Sequence, residues 1–301
     1  RRIKEKNMNV FKEFLKGVLI GVANIIPGVS GGTIAVSMGV YDKIIKAITG
    51  IRKNFKKSIL TLLPYAIGAV TGIGLLSFVV KYFLSNYPMQ TSGLFIGMII
   101  GGLPILVKHV RGAKFTIGNM IAFVVFFCIV AGMAFLSGGE GSATDIAVNF
   151  GTVVQLFLMG NIASATMIIP GVSGSMVMMI CGFYGIIISN ISNFISSLLQ
   201  WDMPAFLHGF GVLFPFGLGV LLGIGLVAKV IEILFEKVPV LTYCAILGLI
   251  FGSPIAILYK ANITSVSIAG VLVTVVTFCV GFAISFLLGK DENSENADSV
   301  G

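Results

Sequence analysis

The heptad Ile-Ile-Pro-Gly-Val-Ser-Gly occurs twice in the chain, as Ile25–Gly31 and as Ile168–Gly174, each time inside strongly apolar sequence. Seven residues in one order do not recur by chance in 301. The match runs on, since Gly39, Tyr41, Ile44 and Ile45 return as Gly182, Tyr184, Ile187 and Ile188. Further along, positions 64–101 align with 215–252 without a gap, pairing Pro64 with Pro215, Gly97 with Gly248 and Gly101 with Gly252. Phe127 and Cys128 still match Phe278 and Cys279, and the second copy gains length somewhere between 188 and 215. The chain is therefore an internal duplication with the same Pro/Gly/Ser break in each copy. In a membrane protein, paired interruptions of this kind mark a transport site.

Composition says that it is a membrane protein. Hydrophobic residues make up 56% and charged residues only 11%, where soluble domains carry about 25% charged residues. Uncharged apolar runs at 59–80, 91–107, 115–137, 209–228, 240–258 and 266–289 have the length that crosses a bilayer as helix. Three crossings follow one broken segment in each half, at 8–49 and at 147–199. The first repeat then covers 1–145, the second 146–289, and 290–301 reads as a disordered tail. Arg1–Lys6 and the apolar run after it read as mature structure, because no small-residue cleavage pattern follows.

The cations test this layout. With a cytoplasmic N-terminus and each broken segment returning to its starting side, every lysine and arginine except Lys81 and Lys260 faces the cytoplasm. That is a strong positive-inside bias, and it explains the net charge of +8 without nucleic acid. An odd number of crossings per half turns the second repeat upside down, an architecture recurrent among secondary transporters. The expected fold class is an all-α integral membrane protein with an inverted-topology repeat, each half a re-entrant helical hairpin plus three transmembrane helices. Only ten apolar residues (Gly17–Ile26) precede the first break and nine, counted from Thr33, precede Asp42, about half a bilayer at 1.5 Å per residue. The second hairpin is re-entrant by symmetry alone, because 175–199 carries no charge.

The break has a chemistry. Pro27 stops a helix, Gly28, Gly31 and Gly32 allow a tight turn, and Ser30 or Thr33 can cap the helix that follows. The product is a hairpin tip with bare N–H groups at the positive end of a helix, which suits an anion. Pro170, Gly171, Ser173, Gly174 and Ser175 repeat the design. Inversion would bring the two tips together near the midplane. The same hairpins also present carbonyls at Asn24–Ile26 and Met167–Ile169, which could hold Na⁺ or a proton-bearing group instead. Kinked helices that only pack closely are the plainer alternative. Tyr41 and Tyr184 follow each tip by about two and a half turns and serve either as interfacial anchors or as hydroxyls directed at phosphate. The glycines at 68, 72 and 74 and at 219, 223 and 225 suit close helix packing.

Other chemistries find little support. The four cysteines form no CxxC pair, and His109 and His208 stand alone, so no metal site is expected. A lipid phosphatase would need a nucleophile beside a base, and both histidines lie at segment ends. A carrier of a small soluble anion, or of a solute coupled to H⁺ or Na⁺, would use the same scaffold.

The motif Asn24-x-x-Pro27-Gly28-x-Ser30-Gly31-Gly32-Thr33 with its downstream Gly39-x-Tyr41, echoed in the second half, resembles the PopT-type polyprenyl-phosphate translocases over residues 9–289. The resemblance implies a protein of the bacterial (or archaeal) plasma membrane; the cation layout puts both termini in the cytoplasm, and no enzymatic activity is expected. It implies return of undecaprenyl phosphate from the outer to the inner leaflet, recycling the lipid carrier of cell-wall synthesis. The motif positions carry over as phosphate-binding residues. Met167, Ser175 and Met176 stand where the first copy has Asn24, Gly32 and Thr33, so the two tips should not bind alike.

Overall fold

The apolar runs form helices because hydrocarbon offers backbone groups no other partner. The computed structural model describes residues 2–24, 29–135, 146–261, 263 and 266–298. Among these, the first copy gives α1 (Arg2–Ala23), α2 (Gly31–Ser37), α3 (Tyr41–Thr49), α4 (Phe55–Asn86), α5 (Pro88–Val110) and α6 (Ile117–Phe135). The second gives α7 (Phe150–Ile168), α8 (Gly174–Ile180), α9 (Tyr184–Gln200), α10 (Met203–Lys237), α11 (Pro239–Lys260) and α12 (Ile268–Asp298). The element order of one copy is thus repeated in the other. No strand occurs among the described residues.

Among the described residues, seven helices are long and apolar enough to cross a membrane. Six are the runs expected from sequence; α4, α5, α10 and α11 extend past them at both ends, while α6 and α12 each begin two residues later than expected. The seventh is α7, the first arm of the second hairpin. No charge interrupts its 19 residues, whereas α1 carries Lys12, Glu13 and Lys16, and its longest uncharged stretch is Gly17–Ala23. At the other end, α12 runs past residue 289 to Asp298, into the segment expected as a tail.

The return arm of each hairpin differs from the expected single half-helix. It is two helices, α2 then α3 and α8 then α9, separated at Gly39 and Gly182 with φ of +72° and +76°. An L-residue with a Cβ rarely adopts that left-handed angle, so the repeated Gly-x-Tyr marks a chain reversal. Helices α8 and α9 meet at 110°. Tyr41 and Tyr184 therefore begin new helices and do not continue the helix that starts at the tip. Helix α9 has 17 residues where α3 has 9, which places extra length of the second copy here.

The chain divides into two compact units. The first contains Arg1–Phe135, Ile169–Val172 and Lys229–Gly301; the second contains Leu136–Ile168 and Ser173–Ala228. In the first unit, α1 lies along α4, α12 along α5 and α11 along α6. Glycines set these approaches. A Cβ on Gly17 or Gly21 would strike the backbone at Tyr65 or Ala69, and one on Gly68 or Gly72 would strike Phe14 or Val18. Likewise Gly97 and Gly101 face the backbone of Phe278 and Phe282, and Gly248 and Gly252 that of Phe123 and Phe127. In each pair the residue numbers rise together, so each pair is parallel. The second unit repeats the first contact, with Gly219 and Gly223 of α10 against Phe157 and Asn161 of α7. Gly74 and Gly225, the third members of the two glycine runs, face open space.

Candidate functional site

Helix α2 lies at the heart of the first unit, and all seven of its residues are buried. Its neighbours hold it by backbone contact. Gly102 of α5 leaves room for the main chain of Ser37, and the Ser285 hydroxyl of α12 donates to the Ser37 carbonyl at 3.2 Å. The start of this helix is the motif.

Asn24 closes the tip. Its Oδ1 accepts the Gly31 N–H at 3.2 Å, and its Nδ2 donates to the Ile20 carbonyl at 3.0 Å. One amide thereby ties the end of α1 to the beginning of α2. A Cβ on Gly31 would press into that amide. Capping thus falls to Asn24, not to Ser30 or Thr33. Ser30 occupies the N-cap position without a side-chain cap bond. Its hydroxyl is buried, with the residue 3% exposed, and has no hydrogen-bond partner among the described residues. The N–H groups of Gly32 and Thr33 lie in the first turn, where a helix supplies no acceptor.

Thr33 faces the second copy of the motif. Its Oγ1 accepts the N–H of Gly171 at 2.6 Å. Gly171 itself lies against α11, where a Cβ would stand 2.8 Å from the Leu249 carbonyl oxygen. Pro170, Gly171 and Val172 are buried. So Asn24, Ser30, Gly31, Gly32, Thr33, Pro170 and Gly171 all fall in the first unit, linked by these bonds. Pro27 and Gly28 lie outside the described residues.

In the second unit, Ser173 and Ser175 hydrogen-bond to each other through their hydroxyls at 3.0 Å. Met167 packs near Gly174, where a Cβ would come within 3.0 Å of its Cγ. A thioether cannot clamp a helix start as the Asn24 amide does, so the copies differ where their sequences differ. Helix α8 is also less enclosed than α2, with Met176 its one buried residue.

The two tyrosines part company. Tyr41 is buried and its ring meets Phe235 edge-on at 6.3 Å. Phe235 leads to Tyr243, which stacks on His109 at 4.5 Å and donates its hydroxyl to Asp42 at 2.9 Å. Glu13 and Lys43 form an ion pair between α1 and α3, and Thr49 donates to Glu232 at 3.0 Å. Tyr41 thus belongs to a cluster that anchors α3, while Tyr184 is partly exposed. Sequence reasoning placed Lys16 on the cytoplasmic side without foreseeing its burial; it is 3% exposed in the interior of the first unit. The signal for that was its position one residue before Gly17, which seats α1 on α4.

Residues 20–271 match the family described as VCA0040-like, undecaprenyl phosphate translocase-like. The chain belongs to that family. The match includes both copies of the motif and every helix from the end of α1 to the start of α12. A polyprenyl-phosphate transporter of Staphylococcus aureus (strain NCTC 8325 / PS 47) is 30% identical over 288 residues, 94% of this chain and 98% of the relative. A polyprenyl-phosphate transporter of Vibrio cholerae serotype O1 (strain ATCC 39315 / El Tor Inaba N16961) is 26% identical over 203 residues, 63% of each chain. No solved structure matches the chain.

Proposed function

We propose that the protein carries undecaprenyl phosphate, or a close polyprenyl phosphate, from the outer to the inner leaflet, and that the motif tips receive the phosphate. The family and the names of its relatives support the substrate class. The observation that carries the site is the Thr33–Gly171 hydrogen bond, which joins the two copies of one motif inside the protein. Around it stand the donors a phosphate requires: the Ser30 hydroxyl, without a partner among the described residues, the first-turn N–H groups of Gly32 and Thr33, and the Thr33 hydroxyl, which accepts from Gly171 and keeps its own hydrogen to donate. All are neutral. A site of neutral donors and a short helix dipole holds an anion without trapping it, which suits a carrier. Ser173, Gly174 and Ser175 are the second copy's counterparts. The reading needs no bond-making chemistry, so the protein is a transporter and not an enzyme.

Transport across a bilayer fits an inverted repeat, which the parallel helix pairs support. Helix α5 has 23 residues, about 34 Å of rise, and six residues separate it from α6, a reach of about 25 Å at most. Neighbouring helices must therefore reverse direction. With α12 parallel to α5 and α6 parallel to α11, the equivalent helices α5 and α11 then run oppositely. The parallel run of α1 and α4 likewise supports a first hairpin that returns to its starting face. With the N-terminus inside, the cation bias supports cytoplasmic ends, and the bacterial relatives support a plasma-membrane location.

The test is reconstitution into liposomes with labelled undecaprenyl phosphate, following protection of the headgroup from an external phosphatase. Ser30→Ala should slow transport by about ten- to a hundredfold, the worth of one hydrogen bond to a charged group, with insertion unchanged. Wild-type rates in that variant would remove Ser30 from the site and the reading with it.

A further inference from the structure

A cavity of about 630 Å³ lies at the start of α4, walled by Glu13 of α1 and by the first turns of α4 from Asn54 to Thr61. Its volume falls in the range of about 300–1,000 Å³ typical of small-molecule sites. Lys56 and Lys57 line it, and Arg52 and Lys53 precede them, so four cations fall within six residues. The one acid on the wall, Glu13, is paired with Lys43, which leaves the cavity cationic. Beside the polar Asn54 and Thr61, its walls carry two exposed apolar side chains: Phe55 is 67% exposed and Leu60 60% exposed. Phe55 is also where the membrane-crossing part of α4 begins, so the lysines stand at the edge of the hydrocarbon. From Leu60 an exposed stripe continues along α4 through Leu63, Ile67 and Val70 at helical spacing. Basic clusters flanking a membrane helix attract lipid phosphates.

We propose that this cavity is a landing site for the phosphate headgroup of a membrane lipid, separate from the motif tips. Lys56 and Lys57 take the phosphate, and the lipid chain lies along Leu60, Leu63, Ile67 and Val70. A free phosphate ion would match the lysines and gain nothing from Phe55, Leu60 or the stripe. The natural occupant, a polyprenyl phosphate arriving at or leaving the tips, rests on the proposed function; the lipid-phosphate site itself does not.

The experiment places a cysteine at position 54 (Asn54→Cys) in a full-length variant lacking the four native cysteines, and measures labelling by a neutral maleimide in proteoliposomes. Phosphatidylcholine vesicles are compared with the same vesicles containing undecaprenyl phosphate, containing phosphatidic acid, or bathed in inorganic phosphate. Both lipid phosphates should slow labelling roughly tenfold, free phosphate should not, and K56Q/K57Q should restore the fast rate. Phe115→Cys, exposed and outside the cavity, should label at one rate throughout. Equal labelling of position 54 in all vesicles overturns the proposal, as does protection by free phosphate alone or equal slowing at position 115. Protection by either lipid that persists in Ser30→Ala supports it, and keeps its outcome distinct from that of the tip site, which is read by transport.

Discussion

Asn24 is a single side chain that does the work of a cap at two helix ends. Its carbonyl oxygen satisfies an orphan donor of α2, and its amide nitrogen gives the Ile20 carbonyl of α1 a second bond beside the one from the Asn24 backbone N–H at 3.3 Å. Asn24→Ala should therefore cost about 1–3 kcal/mol, two hydrogen bonds at about 0.5–1.5 each, seen as a lower midpoint in thermal unfolding of the detergent-solubilised protein. Asn24→Asp keeps the acceptor for Gly31 and puts a negative charge beside the proposed phosphate. It should fold, with stability between wild type and Asn24→Ala, and transport at least about tenfold more slowly from like-charge repulsion. The motif was legible as a tip because Pro and Gly declare a break in any apolar run. Which side chain caps it was not legible, since Asn24 lies seven residues from Gly31 and reaches it only once the chain has turned back. The Thr33 bond to Gly171 is further still from local sequence, spanning both copies.

At the scale of elements, the six long apolar runs were readable from length and charge alone. The split of the return arm into α2 and α3 was not. Gly39 and Gly182 recur in the duplication, but a glycine in an apolar helix reads equally well as a packing contact. The structure separates the two uses. Gly182 has open space around it and a positive φ, whereas Gly102 has an ordinary helical place and the Ser37 backbone against it. Alanine at 182 should thus cost only the left-handed backbone, about 1–2 kcal/mol, and asparagine less. Alanine at 102 has to push α2 off α5, and overpacking of that kind costs about 1–3 kcal/mol or more. Because α2 carries Thr33 and begins at Ser30, its N-cap residue, Gly102→Ala should also lower transport, while Gly182→Ala at matched folded fraction should leave the first tip intact. Thermal unfolding and transport measured on the same two variants check both statements.

The whole molecule is ordered by its duplication, and the consequence that matters is direction. The sequence reveals two copies, but identity of residues says nothing about which way each copy runs; that comes from cation placement and from glycine contacts that pair residues in rising order. If the copies are inverted, the turn between α4 and α5 and its equivalent between α10 and α11 must open on opposite faces of the membrane. Tyr87 and Val238 are the corresponding residues, and both precede a proline that starts the next helix. Cysteines placed at Asn86 and at Lys237, in a background without native cysteines, should answer oppositely to a membrane-impermeant maleimide applied to intact cells. Position 86 should label from outside, and position 237 only after the membrane is permeabilised. A pair related by simple translation would label alike. Labelling of both from one side would mean that the two hairpins enter from the same face. Each tip would then be open to the same leaflet, and alternating access would lose the symmetry on which a phosphate could be passed from one face to the other.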